Sequence, residues 1–166
     1  MRTPSLLIAS ACLADVSIPV LAQQKPMAVP GAKDPSRVKA GTYKVDSDHT
    51  QVSWRVNHLG FNDYFGIFGS PTGSLTLAPA KPQAAKVTIE LPIAKVATSH
   101  QGLTDHLLGA DFFDATKFPT ATFTSTKVDA TGETAKVSGN LTIKGVTKPV
   151  VLDVTFSGAG KAPEQM

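Results

Sequence analysis

The chain has 166 residues, 42% hydrophobic and 17% charged, with a formal net charge of +3. That size and balance fit one domain with one ordinary core and argue against a disordered chain. No apolar run reaches the ~18 residues of a membrane-spanning helix, and the lysines stand singly along the chain, so stable membrane insertion and nucleic-acid binding are both disfavoured.

The N-terminus predicts a secretory leader over residues 1–22. Arg2 supplies the positive start, 6–21 the apolar stretch, and Val20-Leu21-Ala22 a small-residue cleavage site before Gln23. Asp15 is a defect in that pattern. Processing as a lipoprotein at Cys12 fits less well, because Ala9 stands where such sites carry leucine. Cleavage after Ala22 would send the protein to the periplasm and remove Cys12, the sole cysteine, which suits an oxidising compartment. Residues 23–40 carry three prolines and no period, and are expected to form a flexible tether; the folded domain is placed at 41–166.

From Gly41 the period becomes two. A short strand is expected at 42–46. Over 51–58, Val52, Trp54, Val56 and His58 alternate with Gln51, Ser53, Arg55 and Asn57. Further strands are expected at 74–77, 86–93, 120–128, 137–143 and 150–156, with Gly60, Gly66 and Gly69 in turns. About seven short strands argue for an antiparallel barrel or sandwich. One segment, 99–114, has helical spacing at Leu103, Leu107 and Leu108, with Ser99 as N-cap and Gly109 as stop. A helix there could lie across an end of a barrel.

Chemical motifs are sparse. His49, His58, His100 and His106 lack the spacing of a metal site, His100 and His106 being six apart. No Gly-x-Ser-x-Gly elbow, phosphate loop or dinucleotide fingerprint is present. The expectation is therefore a non-enzymatic protein without cofactor or metal. The aromatic residues Trp54, Phe61, Tyr64, Phe65, Phe68, Phe112, Phe113, Phe118 and Phe123 gather in three stretches. Periodicity alone leaves open whether they fill a packed interior or line a ligand cavity.

The order of motifs resembles the YceI-like family. The stretch Tyr43-x-Val45-Asp46-x-Asp48-His49-Thr50-x-Val52-x-Trp54-x-Val56-x-His58-x-Gly60-Phe61 opens the likeness, and Gly66-x-Phe68 with Gly73-x-Leu75 continues it. Asp105-His106-Leu107-Leu108-Gly109-Ala110-Asp111-Phe112-Phe113-Asp114, Phe118-Pro119-Thr120-Ala121-Thr122-Phe123 and the run from Gly139 to Val150 follow in order.

The resemblance implies an exported bacterial protein, mainly β, with an antiparallel lipocalin-like barrel and one short helix across an end. It implies binding, transport or storage of an isoprenoid or other long-chain lipid in the interior. Trp54, Val56, Ile89, Leu91, Phe123 and Leu141 would be wall residues, with Phe65, Phe68 and Leu75 beside them. Phe112 and Phe113 would sit near the closing helix, and His58, Asp105 and His106 at a polar end. The loop-like tail after Phe156 is expected to leave the barrel incomplete at its C-terminus, most simply as a truncated product, with cover of the gap by a homodimer or by the N-terminal tether as the alternatives. Two other readings are a hydrolase or isomerase using His58 with Asp105 or His106, and a ligand-free structural or stress-related barrel.

Overall fold

The computed structural model describes residues 29–162. The expected leader, Cys12 and residues 23–28 of the expected tether lie outside them. Nine strands and one α-helix follow in chain order: β1 (Gly41–Lys44), β2 (Gln51–His58), β3 (Asn62–Gly69), β4 (Thr72–Leu77), β5 (Lys86–Pro92), β6 (Val96–Thr98), α1 (Gln101–Leu108), β7 (Thr120–Thr131), β8 (Thr134–Ile143) and β9 (Val146–Thr155). All pairings are antiparallel, in a six-stranded sheet β1-β4-β5-β7-β8-β9 and a three-stranded sheet β2-β3-β6.

The two sheets are one curled surface. β1 and β2, β3 and β4, and β5 and β6 are three long strands, each bent at a corner so that its halves fall in different sheets. At the first corner the Asp46 carboxylate accepts from the backbone N–H of Asp48 (3.1 Å) and His49 (3.3 Å) and meets His49 Nδ1 at 2.8 Å. The second corner turns through Gly69, Ser70 at φ 52° and buried Pro71. The third is a 3-10 turn, Ile93–Lys95, whose Ile93 is only 2% exposed and donates its N–H to Pro119 O at 2.9 Å. The expected 86–93 strand thus stops at Pro92, because Ile93 turns inward to fill the corner.

Two expected turns are strand. Gly66 and Gly69 lie in β3, which with β6 raises the strand number to nine among the described residues. The expected strand at 150–156 starts earlier, at Val146, because Lys144 (φ 50°) and Gly145 (φ 75°) form a tight hairpin turn of the left-handed type that matches strand twist.

Helix α1 is capped by His100, whose Nδ1 accepts from Leu103 N at 3.3 Å, where Ser99 was expected. Ser99 meets the Tyr64 hydroxyl at 3.0 Å instead. Gly109 ends the helix as expected. Thr104, buried, ties α1 to β6 by bonds to Thr98 N (3.1 Å) and Thr98 Oγ1 (3.0 Å). The chain after α1 crosses the end of the large sheet, where Lys144 donates to Ala110 O at 2.6 Å.

The opposite end is crossed by the described part of the N-terminal segment. Ala32 and Ala159 exchange two backbone bonds (3.0 and 2.9 Å), and Lys33 pairs with Glu133 at 2.6 Å. A 3-10 turn, Pro35–Arg37, follows, capped by Asp34, and the Tyr43 hydroxyl both accepts from Lys39 N (3.1 Å) and donates to Lys39 O (2.5 Å). This strap leads from the end of β9 to the start of β1. The sheet does not close on itself: β2 and β9 each pair with one neighbour.

Two outcomes are expected. Ile93→Ala should lower stability by about 2–5 kcal/mol, read as a shifted urea midpoint with unchanged slope. The Asp46 carboxyl is held below its ordinary value of 3.8, chiefly by its hydrogen bond with His49. Its stabilisation of the corner is therefore full above 3.8 and is lost as pH falls through the lower folded-state value. Amide exchange at Asp48 and His49 should stay protected through pH 3.8 and open below it, and Asp46→Asn should abolish that step.

Candidate functional site

Residues opposite each other in an antiparallel pair share a face, and the face alternates along each strand. In the small sheet Trp54 opposes Gly66, and Val52 opposes Phe68, which opposes Val96. In the large sheet Ile89 opposes Phe123, which opposes Leu141, and Val137 opposes Leu152. The buried Phe68, Val96, Phe123 and Val137 mark these as the inward, concave faces.

Two clusters occupy the concavity. One joins Phe68, Ile93, Val96, Leu107 and Ala121, with Trp54, Leu91, Leu103, Leu108 and Phe113 packed on it. Phe68 and Phe113 meet edge to face at 5.4 Å. The second joins Phe123, Val128 and Val137, with Val87, Ile89, Leu141 and Val150 packed on it. Beyond the clusters the same face runs on uncovered. On β2, Val52 and Val56 (53% exposed) stand free; on β9, Leu152 (42%) and Val154 (43%) do. The result is an apolar trough, covered at its ends by α1 and the strap and open along the side between β2 and β9.

The trough floor is shaped by glycine. A Cβ on Gly66 would collide with the Trp54 ring and stand 2.9 Å from Ala97 O, so the indole lies flat across the β3 backbone. Phe123 lies over Gly139 in the same way. Trp54 Nε1 is buried and meets no acceptor among the described residues. A buried donor left unpaired costs about 1–3 kcal/mol.

The expected wall residues Trp54, Leu91, Ile89, Phe123 and Leu141 all lie on this face, as do Phe68 and Val56. Leu75 shares it, opposite Val87. Phe113 packs beneath α1, whereas Phe112 is exposed and set edge-on to His106, 4.7 Å between ring centres. Phe65 departs from the expectation: three residues from Phe68, it falls on the convex face and is 63% exposed. A hollow of about 360 Å³ lies against that face, lined by Ser53, Phe65, Ile67 and Ala97 with Trp54 and Gly66.

The expected polar end is not assembled. His58 stands at the end of β2 opposite Asn62, while Asp105 accepts from Gln101 at 2.8 Å and His106 meets Phe112 edge to face. No hydrogen bond or ion pair among the described residues joins His58 to either. Residues unforeseen in the sequence are Tyr64 with Ser99, Ile93, Val96 and Thr104; the alternation of Tyr64, Gly66 and Phe68 was the signal available for β3.

A curled antiparallel sheet with an apolar concave face and one helix across an end defines a lipocalin-like β protein. Residues 43–165 match the YceI-like domain, and the chain belongs to the YceI-like family. A UPF0312 protein of Pseudomonas putida (strain W619) is 43% identical over 127 residues, covering 75% of this chain and 66% of the relative. The chain thus spans about two thirds of the length of the curated relatives it matches. Among solved structures, the YCEI protein of Campylobacter jejuni is 36% identical with a TM-score of 0.56, covering 72% of this chain and 71% of that one. BcnA of Burkholderia cenocepacia is 30% identical with a TM-score of 0.58, covering 63% and 66%.

Gly66→Ala should force the indole off the β3 backbone and cost about 1–3 kcal/mol. Because Trp54 is the only tryptophan, its fluorescence reports the displacement directly: an unchanged emission spectrum and an unchanged urea midpoint would refute this account of the floor.

Proposed function

We propose that this chain binds a long-chain apolar ligand, a polyisoprenoid lipid foremost, along the concave face, and transports or stores it without chemical change. The observation that carries the reading is the continuity of the apolar face. It runs from two packed clusters into Val52, Val56, Leu152 and Val154, which face an open side. The family likeness supports the ligand class, since YceI-like proteins are associated with polyisoprenoid binding.

Elementary energetics are sufficient. A tail that hides ~500 Å² of apolar surface gains roughly 12 kcal/mol at about 25 cal/mol/Å². Several kcal/mol of this go to lost freedom on association. Aliphatic walls select for width and length more than for identity. An enzymatic reading would need His58 beside Asp105 or His106, and these make separate contacts. The leader-like residues 1–22 support export to the periplasm as the place of action.

The trough and the convex face make different predictions. Leu152→Asp places a charge on the inner face and should weaken retention of a bound isoprenoid by about tenfold or more in native mass spectrometry. Ile67→Asp, on the convex face, should leave retention unchanged. The double substitution His58→Ala with His106→Ala should also leave it unchanged. Equal loss from Leu152→Asp and Ile67→Asp would refute the trough as the binding surface.

A further inference from the structure

The concave face is mainly apolar, and one hydrogen-bond donor on it is in an unusual state. Trp54 is half-buried as a residue, but its Nε1 is fully covered and has no acceptor among the described residues. Buried indole N–H groups ordinarily find a partner, because leaving one unpaired is costly. The ring is seated on Gly66, where even a Cβ would collide with it, so the β3 backbone supports one side of the indole.

The surroundings define what could satisfy it. The residues packed into the same cluster, Phe68, Leu91, Ile93, Leu103 and Leu107 among them, are uncharged and offer no side-chain acceptor. Arg55, the cation nearest in sequence, belongs to the opposite face of β2 and pairs with Asp63 at 3.3 Å. An anion brought to the N–H would lose its hydration, and none of these cluster residues offers it a counter-charge, which is unfavourable. A neutral oxygen would gain the missing bond at little desolvation cost.

We propose that the Trp54 indole N–H recognises a neutral acceptor oxygen on the ligand, a hydroxyl or carbonyl, so that the trough takes an oxygen-bearing isoprenoid in preference to a plain hydrocarbon. This rests on the carriage reading and adds the polar requirement to it. Trp54 packs on the same cluster as Leu103, Leu107 and Leu108 of α1, so a ligand oxygen that reaches the N–H enters among these side chains, and the bond to the indole replaces an unpaired donor.

The test uses the full chain with three probes of one length: farnesol, the hydrocarbon farnesene, and farnesyl phosphate. Trp54 emission should move to the red with farnesol and stay unmoved with farnesene. Calorimetry should give farnesol about a tenfold advantage over farnesene, the range of one hydrogen bond gained by a buried donor. Trp54→Phe, which keeps an aromatic ring and removes the donor, should bind the two alike; the wild-type emission shift stands as an independent readout if that variant folds poorly. Equal binding of farnesol and farnesene with an unmoved emission would overturn the inference and leave carriage standing. A farnesol preference that survives in Trp54→Phe would overturn it as well. Tighter binding of farnesyl phosphate than of farnesol would overturn the neutral-oxygen assignment. Binding of none of the three would sink the carriage reading and this inference together.

Discussion

The fold depends on three strands keeping the same face inward while they bend. A strand that turned a corner and slipped by one residue would carry its apolar set to the outside, because the side-chain period is two. Each corner prevents this differently. At the first, the Asp46 carboxylate pins the two following amides. At the second, Ser70 accepts a left-handed conformation beside buried Pro71. At the third, Ile93 leaves the strand and becomes one of the most deeply buried side chains, while Pro92 before it and Val96 after it resume the ladders. Ile93 also donates to Pro119 O, just before β7 opens at Thr120, so the bend in one strand is tied to the start of another.

Both sheets then use the same device to make a floor. A large aromatic ring lies over a glycine of the next strand: Trp54 on Gly66 in the small sheet, Phe123 on Gly139 in the large one. The pairing differs, since Gly66 is directly opposite Trp54 whereas Gly139 is opposite Ser125, two residues along from Phe123. The consequence is shared. A ring that lies down covers backbone instead of standing into the concavity, which keeps the face smooth and leaves room above it.

This explains which parts of the fold could be read from the sequence. β2 was legible to the residue because Gln51–His58 alternates without interruption. β3 was not: Gly66 and Gly69 carry turn character when read alone, and only the Trp54 ring lying over Gly66 shows that the first of them is a notch within a strand. β6, three residues long, holds too little sequence to carry a period. The helix was legible from Leu103, Leu107 and Leu108, but its cap was not, since a histidine serving through Nδ1 has weaker precedent than the adjacent serine. Among the site residues, alternation correctly grouped Trp54 with Val56 and Ile89 with Leu91. Grouping Phe65 with Phe68 ignored parity, which is set by strand geometry and not by residue type. The proximity of His58 to α1 was a matter of chain path, on which periodicity is silent.

The position of the opening follows from the same architecture. The helix and the chain after it cross one end of the large sheet, and the strap from Ala32 to Lys39 crosses the other. What remains uncovered is the long side between β2 and β9. These strands are also the edges, and their inner faces carry Val52, Val56, Leu152 and Val154 at roughly half exposure. Their outward faces carry ion pairs, Arg55 with Asp63 on one and Asp153 with Lys136 on the other, with Val151 exposed beside the second. An apolar edge face is unfavourable in water and invites pairing. Here it borders a trough whose remaining walls are already packed. Covering it with an elongated apolar molecule, as proposed, would extend both clusters at once, from Trp54 on one side to Val150 on the other, and would make binding and core completion the same physical event.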